Sequence, residues 1–343
     1  MSVRLKRTAA AVLAPTGALQ LYRKVLQGTR NKLLVIGHHR VMPLPDEASH
    51  QGDVELVSAT PAEFAWQVDY LSRHFEPVTC RDVIAALRGV SSLPRNAVAI
   101  TFDDGFSDLY EHAMPILERA RVPATVFIPT DYIDSGEPLW FDLIAYILMN
   151  ADARSIAVPF VDNGLPDSNN HLSRREAVQS TLKWLKTCPD AERVAFIAHT
   201  KAAFPEIVAA GIEVLGRALN WDEMRDMAAR GIEFGAHSAS HPCLTRISGE
   251  ALQQELTPPR QALEKHLGIA VESLAYPFGG RNAFSPAVTT AARAAGYRLG
   301  ISYVPGINAL PLADEFAVSR QHVERYTTRS YFKAIVDAPE LFQ

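Results

Sequence analysis

Two adjacent carboxylates, Asp103 and Asp104, stand where the apolar run 97–102 gives way to Gly105. The run reads as a buried strand, and the glycine turns the backbone away from it. Neighbouring side chains on a flat strand point to opposite faces, so a pair aimed at one target needs that turn. Such a pair can divide labour, one carboxylate on a metal ion and the other taking a proton. Alone, Asp-Asp-Gly is equally an ordinary solvated turn. The second element weighs against that reading: His237 and His241 follow another strand-like run, 232–236. On a helical turn their spacing of four puts both imidazoles on one side, as in short motifs that grip a divalent metal. Two histidines and a carboxylate, with room for a water, suit zinc or another borderline ion.

The elements that must position these groups follow from the hydrophobic pattern. Residues 32–36 read as the first strand, running into Gly37-His38-His39-Arg40-Val41. Thr60, Pro61 and Glu63 open a helix with the pattern of a capping box. Its apolar face is Phe64, Val68, Leu71 and Phe75. A helix over 111–120, with Pro115 either near its first turn or kinking it, leads to a strand at 124–128. The segment 134–220 is rich in helix signals and poor in strands, which predicts a mostly helical insertion between two strands, a lid or substrate wall. Trp140 and Asp142 at its entry either rim the site or serve as core and cap. Ser173 with Glu176 predicts a second capping box, and 162–164 and 167–170 read as loop. After Trp221 the alternation resumes. A strand carries His237, and a helix over 248–267 should be interrupted at Pro258-Pro259. A short strand runs into Pro277-Phe278-Gly279-Gly280, a helix opens at Ser285-Pro286, and a last strand covers 298–303. Strands alternating with helices predict a parallel α/β arrangement.

The chain of 343 residues has room for one α/β barrel of about 250 residues plus an insertion, or for two domains. Apolar content of 48% is ample for a core, and a net charge of −4 gives no sign of nucleic-acid binding. Cys80, Cys188 and Cys243 are few and far apart, which points to a reducing compartment; Cys243, close to His241, reads as a small buried thiol. Residues 1–30 hold Arg4, Lys6, Arg7, Arg23, Lys24 and Arg30 and no acid. Their apolar stretch is too short and too interrupted for a secretory leader. They form either a plain surface helix or a basic lead lying on an anionic membrane. The expected location is cytoplasmic, with membrane association as the alternative; the oligomeric state is open.

The 101–105 and 237–241 motifs together resemble the polysaccharide deacetylase superfamily (NodB homology, carbohydrate esterase family 4). The resemblance spans about 32–133 and 221–323. It implies a distorted (β/α) barrel over 32–133 and 221–330, interrupted by the helical insertion 134–220, with a basic N-terminal segment 1–31 and a tail 331–343. It implies Asp103 as base and Asp104, His237 and His241 as ligands of a divalent metal, Zn2+ first, with Co2+ or Ni2+ also accepted. The family's Arg-x-Pro-Tyr-Gly motif is here Ala275-Tyr276-Pro277-Phe278-Gly279. Its arginine is missing, while the oxyanion donor, a main-chain N–H, is still available from Phe278. A Tyr-Pro-aromatic-Gly version resembles the exopolysaccharide branch. In that branch the barrel is circularly permuted, and a Tyr-His-x-Val motif on the first strand supplies the general acid. His38-His39-Arg40-Val41 fits it with His39 as the acid, whose imidazole titrates near neutrality. His39 as a packed strand-end residue, and His322 as a rival acid, remain open. Arg320 either replaces the missing arginine beside Asp103 or sits at a surface. The implied reaction removes N-acetyl groups from amino sugars of a glycan. A small non-sugar amide as substrate, or a non-catalytic carbohydrate-binding role, are the alternatives.

Overall fold

The computed structural model describes residues 3–27, 31–44, 46–47, 50–152 and 171–342. In chain order its strands are β1 (Lys32–His38), β2 (Arg40–Val41), β3 (Val57–Ala59), β4 (Glu76–Val78), β5 (Asn96–Phe102), β6 (Ala124–Ile128), β7 (Ile232–Ala236), β8 (Ser273–Ala275), β9 (Leu299–Ile301), β10 (Asn308–Ala309) and β11 (Gln321–His322). Among the described residues, one sheet runs β10-β1-β5-β6-β7-β8-β9, with β4 also on β5 and β11 on β1. β1, β5, β6, β7, β8 and β9 are parallel throughout. Beyond β9, Val318 and Arg320 bond back to residues 300–304, while β11 pairs with β1, so the sheet curls towards closure as a half-barrel. β6 and β7 are buried on both faces, and their two polar side chains pair with each other, the Thr125 hydroxyl donating to Glu233 at 3.0 Å.

Parallel pairing brings the strand ends that matter into register. Gly37 lies opposite Thr101 and His38 opposite Phe102, so β1 and β5 finish side by side. β5 pairs with β6, and β6 with β7, which places the turn after Phe102 near the loop after Ala236. Among the described residues, the elements between β6 and β7 in chain order are all helices. Phe141, Ile144, Ile147 and Leu148 of the helix Trp140–Asn150 pack with Val178, Leu182 and Leu185 in a core of their own. Buried Arg174 donates to the carbonyls of Leu148, Met149 and Ala151, giving the C-terminus of that helix the cation its dipole favours. Asp142 ties this layer to the barrel, accepting from the Asp53 N–H at 2.7 Å and lying 3.6 Å from Arg40. It is a joint between layers and not part of a pocket rim.

Several local expectations are corrected by packing. Thr60 accepts from the Glu63 N–H, but the Glu63 carboxylate turns to Arg329 instead of closing the box. The helix His171–Leu185 begins before Ser173, which lies within it and not at its start. The loops expected at 162–164 and 167–170 lie outside the described residues. The helix Gly249–Leu267 runs unbroken through Pro258 and Pro259, with Leu252, Leu256, Pro259 and Leu263 all buried along it. Burial of that face outweighs the two missing N–H donors. At the chain's ends, Val3–Leu13 packs against Arg329–Asp337, and Ala10, Ala14 and Leu19 join Phe332 and Val336 in the main core. Buried Arg23 pairs with buried Asp337 at 3.1 Å.

Candidate metal centre and catalytic pocket

The paired aspartates follow β5 on a turn whose backbone is left-handed at Asp104 (φ 74°) and Gly105 (φ 66°). Aspartate tolerates that region better than most residues. At Gly105 a Cβ would come within 2.6 Å of Ile128, so the glycine is also a packing requirement. The histidine pair does not stand on a helical turn, as the spacing suggested. It lies on a loop, because Ser238 (φ 66°) and His241 (φ 58°) are both left-handed. Ser238 Oγ accepts from the His241 N–H at 3.0 Å. Glu255, from the helix Gly249–Leu267, accepts from the N–H groups of Ala239 and Ser240, each at 2.9 Å, and from the Ser240 hydroxyl. That carboxylate staples the loop; sequence reading missed it because a helical glutamate signals nothing by itself.

Three ligand atoms converge. Asp104 Oδ1 lies 3.7 Å from His237 Nε2 and 3.5 Å from His241 Nε2, and the two nitrogens are 3.2 Å apart. Among the described residues this is the one cluster of three such side chains. His237 Nδ1 is 2.8 Å from the Ala275 carbonyl, which can only accept. Nδ1 therefore carries the proton and Nε2 offers its lone pair to the site. Burial pulls both imidazoles down in pKa, keeping them neutral as ligands must be. Burial and then the Asp103 carboxylate push Asp104 up, and its Oδ1 is buried without a hydrogen-bond partner. Two neutral imidazoles and a carboxylate oxygen lacking a counter-charge fit a divalent cation, and Zn2+, Co2+ and Ni2+ all accept that set.

Asp103 faces the other way, into the grip of Arg320. Its oxygens accept from Nη1 at 2.8 Å and Nη2 at 2.7 Å, a bidentate pair buried on both sides. Burial would raise the Asp103 pKa, but the Arg320 guanidinium, through its charge and its two hydrogen bonds, holds it down at about 2. Arg320 is no surface residue: it is fully buried, with its guanidinium 4.6 Å from the Tyr303 ring. A Cβ on Gly37 would come within 2.9 Å of its side chain, so β1 needs a glycine there. The position of the missing motif arginine, Ala275, instead contributes the carbonyl that orients His237.

The two adjacent histidines part company where β1 ends, His38 being its last residue and His39 the one beyond it. His38 is buried against Phe64 and Phe102 with Nε2 3.0 Å from Gln67 Oε1. His39 points into the pocket, its Nε2 3.9 Å from Asp103 Oδ2. Burial lowers the His39 pKa to about 3, with Asp103 pulling the other way. His322 lies behind Tyr303, stacked on its ring at 3.7 Å and bonded to its carbonyl, and does not line the pocket. Phe278 does line it, left-handed at φ 65°, with its ring edge-on to His241 at 4.9 Å. Cys243 is a buried thiol beside Thr245 and is not part of the pocket.

The pocket has a volume of about 260 Å³. Seven of its lining residues carry no motif and escaped the sequence reading, among them Phe141, Lys186, Tyr303 and Glu324. Trp140 supports it from outside, its indole N–H donating to the His241 carbonyl at 3.1 Å. Phe141 and Lys186 belong to the helical layer, which therefore walls the site. A larger apolar groove of about 800 Å³ lies beyond Trp140 and holds none of these ionisable groups. Next to Phe278, Gly279 has φ 54°, and a Cβ there would meet the Tyr303 backbone nitrogen at 2.5 Å. Gly279→Ala should destabilise the fold by roughly 2–5 kcal/mol, the left-handed penalty plus the clash. A denaturant midpoint equal to that of the parent would refute this.

The sequence matches the polysaccharide deacetylase family over residues 91–300. It is 30% identical over 118 residues to the poly-β-1,6-N-acetyl-D-glucosamine N-deacetylase of Staphylococcus epidermidis, a stretch covering 33% of this chain and 41% of that protein. The chain thus matches less than half the length of that relative. In three dimensions it resembles the Streptococcus pyogenes deacetylase PplD (TM-score 0.58, 16% identity, 88% of this chain and 96% of the other). It also resembles IcaB from Ammonifex degensii (TM-score 0.54, 18% identity, 90% and 97%). At these identities the likeness is one of fold.

Proposed function

The chain belongs to the polysaccharide deacetylase family, and from that premise we propose that it is a metal-dependent hydrolase removing N-acetyl groups from the amino sugars of a glycan. The substrate class we favour is the poly-β-1,6-N-acetylglucosamine that its curated relatives are named for. The observation that carries the reading is the meeting, in one pocket, of Asp104, His237 and His241 with an Asp103 clamped by Arg320.

Asp104, His237 and His241 would hold the ion. Such an ion supplies Lewis acidity, lowering the pKa of a water and polarising an amide carbonyl. Asp103 accepts the proton of the attacking water. Arg320 keeps it ionised and fixes its plane, while each oxygen retains a lone pair for that proton. The Phe278 N–H donates to the carbonyl oxygen as negative charge builds there. His39 protonates the leaving nitrogen, because an amine departs poorly as an anion. Burial keeps His39 neutral beforehand, so it must take up a proton before it delivers one, and Asp103 Oδ2, which receives the proton of the water, lies 3.9 Å away on the same wall of the pocket. One water is consumed, the C–N bond breaks, and acetate and a free amino sugar leave.

Dialysis against a chelator should lower acetate release from β-1,6-linked N-acetylglucosamine oligomers by about a thousandfold, the several kcal/mol a Lewis acid contributes. Zn2+ or Co2+ should restore it. Unchanged release in a protein shown free of metal would sink the metal-dependent reading. The pocket's compactness also suits a small N-acyl metabolite, and the same assay decides: turnover of such amides but not of the oligomers would favour that alternative.

A further inference from the structure

The chain's first acidic residue is Asp46, and Arg4, Lys6, Arg7, Arg23, Lys24 and Arg30 all precede it. The structure shows that this basic lead is apolar on two sides. Ala10, Ala14 and Leu19 face inward to the core, and Arg23 is taken up by Asp337. On the outside, Leu5 and Val12 stand two turns apart on the helix Val3–Leu13, 55% and 65% exposed. Leu21 and Val25 stand four residues apart further on, 62% and 59% exposed, with exposed Lys24 beside them. Among the described residues, large exposed apolar side chains concentrate in this stretch.

We propose that this face docks on an anionic lipid bilayer. Aliphatic side chains can enter the boundary between headgroups and acyl chains while the exposed Lys24 ammonium beside them meets lipid phosphate. Among the described residues no helix is long and apolar enough to cross a membrane, so the contact is peripheral. A bilayer fits better than a protein partner. The outward row holds no aromatic anchor of the kind that dominates protein interfaces, and residues 1–30 contain no acid of their own. Arg7, on the inward side of the same helix, lies 4.3 Å over the ring of Tyr326 and fastens the lead to the rest of the molecule, leaving Leu5 and Val12 outward.

The test is sedimentation of the full chain with phosphatidylcholine vesicles containing about 30% phosphatidylglycerol, and with phosphatidylcholine alone. The expected result is binding at least tenfold tighter to the anionic vesicles, weakening as salt rises. Lys24→Gln should weaken binding about fivefold. The Val12→Glu/Leu21→Glu double variant should lose it while keeping the parent's Tm, since both side chains lie outside the core. Absence of binding by the folded parent would overturn the proposal, and so would a double variant that binds as well as the parent. A parent dimer that the double variant splits would make the face an interface between copies instead. None of these readouts needs acetate release, so the proposal stands or falls apart from the deacetylase reading.

Discussion

Asp103→Asn is expected to lower kcat by about a thousandfold while leaving the metal content unchanged, the middle of the range for loss of a general base. Asparagine keeps the shape of the side chain but cannot take a proton. Its amide nitrogen would also face an Arg320 donor, so one of the two bonds at 2.8 and 2.7 Å is lost as well. The ligand set, Asp104 with His237 and His241, is untouched. Metal analysis and acetate release on the same preparation separate the roles of the paired aspartates. Near-parent kcat would remove Asp103 as the base. Loss of metal along with activity would mean that the two carboxylates share the ion.

Arg320→Met should have the largest effect on stability, because it leaves the buried Asp103 carboxylate without its counter-charge. Removing one partner of such a pair costs about 3–5 kcal/mol. Activity should fall too, since burial then pushes Asp103 towards its protonated form. Arg320→Lys keeps a charge but not the fork, and should lie between the parent and the methionine variant. The sharper test is the double variant with Asp103→Asn. Removing the stranded charge should recover part of the stability lost in Arg320→Met alone, as coupled neighbours do. Strictly additive denaturation midpoints would show that the pair is not coupled, and the assignment of Arg320 as the clamp would fail.

Much of the scaffold was legible because it rests on short-range patterns. The runs ending at Phe102, Ile128 and Ala236 are strands as read, since burial on both faces keeps them mostly apolar and the few polar side chains, Thr101, Thr125 and Glu233, do not break the pattern. Thr60 and Ser285 cap their helices as read, since a hydroxyl three residues from a free N–H needs nothing else. The errors arose where distant contacts overrode local preference. Glu63 was drawn to Arg329, the helix through Pro258 and Pro259 was held by its buried face, and the histidine pair took a left-handed loop pinned by Glu255.

The sequence by itself determined the chemistry on offer: paired carboxylates at a strand end, two histidines four apart after another, and a family resemblance carried by both. The tertiary structure alone decided which groups meet. It set His39 in the pocket and His38 in the core, brought Arg320 to Asp103 from 217 residues away, and drew Phe141 and Lys186 in from the helical layer. The reason is physical. Residue type and spacing report on a few neighbouring turns of chain, whereas a guanidinium finds its carboxylate only after parallel strands have paired and a shared core has fixed where each strand ends.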